Sequence, residues 1–187
     1  MILIIGLGNP GKEFEHTPHN LGFAVLNSFQ EQNSFSDWQE KKKMLSLLSE
    51  GEMAGQEIVL AKPQTFMNKS GKAVKALLNF YKLKPKDLWV VHDDLDLDLG
   101  EMKISQAKGS AGHKGVQSII DETKTNDFVR FRLGVSLFEE IKDLEKFVLK
   151  RFSEEEQESA EEIIGRVVVA LEVSINSGLE QAMNDFN

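Results

Sequence analysis

Short aliphatic runs alternate with amphipathic stretches along the first two thirds of the chain. Residues 2–7 are aliphatic up to a pair of glycines and predict a buried strand. Residues 8–17 are rich in turn formers. Thr17-Pro18 reads as an N-cap followed by proline at the first helical position. Leu21, Ala24, Val25 and Phe29 give the helix that follows, to about residue 30, an apolar stripe. After a polar loop at 33–43, residues 44–48 and 58–61 predict two strands joined around 51–55. Val74, Leu77, Leu78 and Tyr81 recur at helical spacing within 67–81. Residues 88–92 predict a further strand, and 101–106 a weaker one.

The glycine-rich residues 109–112 lead into a helix with Val116, Ile119 and Ile120 as its apolar positions, and 128–136 predict another strand. Ser153 and Glu156 form a capping box for a long helix over 154–175, lined by Ile163, Ile164, Val167 and Leu171. Gly178 ends it. No repeat and no Pro/Ser-rich linker interrupts this order. The expectation is one α/β domain over residues 1–187.

Composition narrows the chemistry. Cysteine is absent, which excludes thiolate metal sites, disulfides and a cysteine nucleophile. The apolar run at 1–5 has no basic region before it and is too short to span a bilayer, so the expected location is cytoplasmic, with no membrane partner. The net charge of −8 argues against non-specific nucleic-acid binding. Its distribution alters that picture. Residues up to Phe138 hold 17 basic and 17 acidic side chains, whereas 139–187 hold 5 and 13. Seven lysines and no acid lie between Lys62 and Lys86, so a polyanion can be met locally.

Gly6-Leu7-Gly8-Asn9-Pro10-Gly11 has the spacing of a dinucleotide-binding turn, but the helix start near Thr17 lies too far downstream for that use. His19 falls next to this helix start, where the helix dipole favours a neutral ring. The run His92-Asp93-Asp94-Leu95-Asp96-Leu97-Asp98 follows a strand, where α/β folds place their sites, and reads as an acidic turn. One of its carboxylates can hold the His19 imidazole in a fixed tautomer. Leu99 and Ser105 stand where an EF-hand loop needs glycine and a bidentate acid, and His16 with His19 is no zinc set. Residues 109–112 lack a serine elbow, and 70–73 lack a Walker loop. Hydrolysis would therefore use a water activated by histidine.

These residues, taken in order, resemble the bacterial-type peptidyl-tRNA hydrolase family. Residues 6–11 with Thr17, His19-Asn20 and Gly22-Phe23 match its first block, and Lys62-Pro63-Gln64-Thr65-Phe66-Met67-Asn68-Lys69-Ser70-Gly71 its second. His92 to Leu97 with Gly100, and Gly112-His113 with Gly115, match the third and fourth. The resemblance implies a single domain with a mixed central sheet surrounded by helices, no cofactor, no metal and a monomer. It implies hydrolysis of the ester joining a peptide to tRNA, with His19 as general base and Asp93 as the acid that orients it. Asn9 and Asn68 would position the substrate and stabilise the oxyanion, with Phe14, Phe66 and Lys114 also lining the substrate site. Lys103, Lys108 and Arg132 would meet tRNA phosphates, and the helix after 109–112 would favour an anion at its start.

Several positions depart from the family pattern. Lys114 replaces a usual asparagine, Ser105 a common lysine, Pro18 a usual arginine and Phe14 a usual tyrosine, and 134–138 lack a Gly-x-Gly ending. Lysine cannot accept a hydrogen bond, so Lys114 cannot hold a water as an amide oxygen does. The alternative reading is therefore a divergent homologue that binds tRNA with little or no turnover.

Overall fold

The computed structural model describes residues 1–137 and 143–187, so Phe138 falls outside the described residues. Seven strands form one mixed sheet: β1 (Ile2–Gly6), β2 (Gln39–Lys41), β3 (Ser46–Met53), β4 (Gln56–Pro63), β5 (Leu88–Asp98), β6 (Met102–Gln106) and β7 (Val129–Ser136). Their spatial order is β2-β3-β4-β1-β5-β7-β6. β1 lies parallel to both β4 and β5, and β7 parallel to β5, while the outer pairs are antiparallel. The direction of strand progression thus reverses at β1, and open α/β sheets bind ligands at such points, outside the carboxyl ends of the strands.

The two-residue period of the strands sorts the core into two layers. Ile4, Ile58, Leu60, Trp89 and Val91 face the helices α1 (Leu21–Gln32), α5 (Glu154–Ser177) and α6 (Leu179–Phe186). Leu3, Ile5, Val59, Ala61 and Val90 face α2 (Ser70–Tyr81) and α3 (Lys114–Thr123). A short helix, α4 (Leu144–Phe147), precedes α5. The Ser153–Glu156 capping box forms as expected, and Ile163, Val167 and Leu171 of α5 are buried while its glutamates face outward.

Three expectations are corrected. Thr17 and Pro18 open a 3-10 turn, Pro18–Asn20, and α1 begins only at Leu21. The Thr17 hydroxyl donates back to Phe14 O instead of capping, so His19 sits in one tight turn and not at the head of a full dipole. The acidic run after residue 92 is not a turn: β5 continues through it to Asp98. Leu95 and Leu97 keep the strand's two-residue alternation there, with the exposed Asp96 and Asp98 on its other side. The predicted 44–48 and 58–61 strands extend into one hairpin closed at Ala54-Gly55, both in left-handed conformation. Its outer half carries Glu50, Glu52 and Glu57 and so shows no apolar signal.

Close backbone approaches hold the site elements together. A Cβ on Gly22 would strike Leu7 N and Val91 O, and one on Gly71 would strike Ser118 O across the α2–α3 contact. Gly165 in α5 faces open space. Gly71→Ala is therefore expected to lower the unfolding free energy by about 1–3 kcal/mol. Gly165→Ala should raise it by about 0.5–1 kcal/mol, both read by urea denaturation.

Candidate active site

Asp93 is 1% exposed and stands at the middle of β5, two residues beyond Val91, where the pairing with β1 ends. Its Oδ2 faces His19 Nδ1 at 2.8 Å and its Oδ1 faces His113 Nε2 at 2.9 Å. Burial pushes the Asp93 carboxyl up, but the attraction and hydrogen bonds of His113 and His19 outweigh it and hold the group well below the usual carboxylate range. It is therefore an acceptor at both oxygens.

The backbone decides the proton positions. His113 is the N-cap of α3, and its Nδ1 accepts from Gly115 N at 3.1 Å and Val116 N at 3.2 Å. That nitrogen carries no proton, so Nε2 carries it and donates to Asp93. The cap also occupies the helix-start N–H groups expected to receive an anion, which corrects that expectation. His19 likewise donates from Nδ1, leaving Nε2 with a lone pair at the groove that His19 lines. Behind them, His92 donates from Nδ1 to Asp93 O at 2.6 Å, and its ring packs edge-on against His113 at 4.8 Å. Burial pushes the His92 ring down to about 3, so it stays neutral.

The groove has a volume of about 510 Å3 and is lined by Asn9, Phe14, Phe66, Asn68 and Lys114 together with His19, Asp93 and His113. Asn9 is fixed by a clamp. Its N–H donates to Asn20 Oδ1 at 2.9 Å, its carbonyl accepts from Asn20 Nδ2 at 3.0 Å, and its Oδ1 accepts from Met67 N at 2.8 Å. With the amide oxygen committed to a backbone N–H, Nδ2 is left as a donor. Asn68 and the 60% exposed Phe66 rise from the segment after β4. Val148 O accepts from His19 N at 3.0 Å, which docks the α4 segment as the opposite wall, and Lys114 Nζ donates to Glu145 Oε1 at 2.8 Å between α3 and α4.

The expected phosphate contacts lie outside the groove. Lys103 and Arg132 are cross-strand neighbours on β6 and β7, and Lys108 is exposed in the 107–113 loop. The Arg132 Nε donates to Asp94 Oδ2 at 2.6 Å, so part of its fork is already engaged. Burial pushes Asp94 up, but the Arg132 and Asp96 N–H bonds prevail and hold it low. Ser105 is buried opposite Arg130 and offers nothing to the surface. The glycine turn at 6–11 leads into a 3-10 turn, Lys12–Phe14, and not into an α-helix, as a dinucleotide site would require.

Residues 3–187 match the peptidyl-tRNA hydrolase family. The chain belongs to the peptidyl-tRNA hydrolase family. It is 45% identical over 193 residues to a peptidyl-tRNA hydrolase of Dehalococcoides mccartyi, covering 100% of both chains. It is 41% identical over 189 residues to that of Chloroflexus aurantiacus, covering 100% of this chain and 99% of the other. The crystal structure of peptidyl-tRNA hydrolase from Acinetobacter baumannii superposes with a TM-score of 0.93 at 28% identity, covering 100% of this chain and 94% of that one.

Reading the sequence as a peptidyl-tRNA hydrolase leaves His113, Asn20 and Met67 without roles, although each stands in a matching block. The Gly112-His113 signal was visible in the sequence; its contact with Asp93, 20 residues away, was not.

The depressed Asp93 carboxyl gives a signed pH effect. A group whose folded value is lowered stabilises the fold above its unfolded value, near about 3.9, and loses that contribution as pH falls toward the folded one. Wild-type stability is expected to decline as pH drops below about 4, and Asp93→Asn to flatten that decline, read by denaturant titrations across pH 2–7.

Proposed function

We propose that His19 is the general base of peptidyl-tRNA ester hydrolysis, with Asp93 as the carboxylate that orients it. The shared Asp93 carboxylate carries this reading, because it leaves His19 Nε2 free to take a proton from water. The water attacks the ester carbonyl, and Asn9 Nδ2 and Asn68 donate to the developing oxyanion. The ester C–O bond then breaks, and the His19 imidazolium returns its proton to the leaving ribose oxygen. Phe14, Phe66 and the aliphatic chain of Lys114 contact the peptidyl end, while Lys103, Lys108 and the free side of Arg132 meet tRNA phosphates. No metal is needed. The His113 cap supports that view, since a neutral imidazole that ligates through Nε2 would carry its proton on Nδ1. The intact His19–Asp93 pair weighs against a tRNA-binding homologue without turnover.

The same reading takes the protein as a cytoplasmic monomer. Among the described residues no helix is long and apolar enough to cross a membrane.

His19→Ala should lower kcat by about 10²–10⁴-fold with tRNA binding retained, measured on an N-blocked aminoacyl-tRNA. Activity retained by His19→Ala would remove the assignment, as would loss of activity on adding a chelator to the wild type. Lys103→Ala and Lys108→Ala should each weaken tRNA binding and reduce its salt slope by about 1.

A further inference from the structure

Asn9 also lines a second cavity, of about 530 Å3, between the loop after β1, α1, β4 and the start of α5. The side chain that sets its chemistry is Lys62, near the end of β4. Lys62 belongs to the lysine-rich stretch expected to meet a polyanion, yet it is only 8% exposed. Its ammonium lies 3.9 Å from the centre of the Trp38 ring and 5.9 Å from that of Phe23, and it donates to Asn27 Oδ1. Among the described residues no carboxylate lies within 4.0 Å of it.

A buried cation ordinarily either pairs with a carboxylate or extends its flexible stem to water. Lys62 does neither. Of its three donors one meets a neutral amide, and two aromatic faces compensate the charge only in part. Burial pulls the amine down to about 8, as expected for an ammonium without a counter-charge. The other titratable groups lining the cavity are Lys12, Glu15, His16 and Glu161, all exposed. Glu15 and Glu161 disfavour a doubly charged phosphate. Phe23, Phe152, Leu21 and Ile164 offer walls for an apolar body.

We propose that this cavity binds a small organic carboxylate, whose anionic group is held by Lys62 and whose apolar body rests against Phe23 and Phe152. The cavity adjoins the hydrolytic groove across Asn9, which lines both, and the proposal does not rest on the mechanism above. Binding restores the counter-charge that Lys62 lacks, so the complex favours the protonated amine. Above about pH 8 the complex must therefore take up a proton, and affinity falls as pH rises.

Benzoate serves as the probe, titrated into the whole protein with isotope-labelled lysine, the Lys62 ε-methylene signal being followed by NMR and the affinity by calorimetry. Saturable shifts of the Lys62 signal are expected, with affinity falling above about pH 8 by up to about tenfold per unit. Lys62→Met should weaken binding by about tenfold or more, as loss of a charged hydrogen bond does. His19→Asn should leave benzoate affinity unchanged, which separates this site from the groove. Should Lys62→Met fail to fold, the wild-type Lys62 signal and the pH dependence decide. Absence of saturation, a Lys62 signal that does not move, or a pH-independent affinity would overturn the proposal. Inorganic phosphate binding as tightly as benzoate would overturn the assignment to an organic carboxylate.

Discussion

One buried carboxylate, accepting from two imidazoles, sets the geometry on which the rest of the groove depends. Asp93 is reached by His19 from the turn before α1, on one face of the sheet, and by His113 from the start of α3, on the other. A charge buried in this way is tolerable only when its oxygens are matched by donors. The carboxylate therefore locks both helix starts to the middle of β5, and with them the spacing of the groove walls. His113 is a donor on one side and a backbone acceptor on the other, so the α3 cap and the proton position on His19 belong to one network.

The amide clamp follows the same logic one step outward. Asn20 holds the backbone of Asn9, and Met67 N holds its side-chain oxygen, which turns an ordinarily ambiguous amide into an oriented donor. These bonds require the elements to approach closely. The missing side chain of Gly22 lets α1 touch Leu7, just past β1, and Val91 within β5, and that of Gly71 lets α2 meet α3. Packing and chemistry are therefore not separable here: a methyl group at either glycine would spread the elements that carry the polar groups.

Charge behaves differently inside and outside the fold than its tally suggests. Lys62 is enclosed beside aromatic rings, Arg130 is 1% exposed and donates to Gly109 O, and Arg132 is tied to Asp94. Lys69, Lys72, Lys75, Lys82, Lys84 and Lys86 do reach the surface, and of these Lys75 meets Glu122. The acidic helix α5 keeps its glutamates outward because its apolar stripe faces the core. Counting lysines in a stretch thus overstates what a polyanion meets.

Local pattern was legible in the chain because it is written within one turn or one strand: the alternation of β1, the α5 capping box and the stripes of α1 and α2 each involve neighbours in sequence. The matching blocks likewise brought His19, Asp93, Asn9 and Asn68 into view together. What local pattern left open were partners chosen by packing. His19 and Asp93, 74 positions apart, and Asn33 and Glu172, 139 apart, are joined by hydrogen bonds that no periodicity encodes. The continuation of β5 through its aspartates, the role of His113 and the burial of Lys62 were settled in the same way. Side-chain type and spacing determine which elements form; desolvation and hydrogen-bond matching, which exist only once the layers meet, determine which of their polar groups face one another.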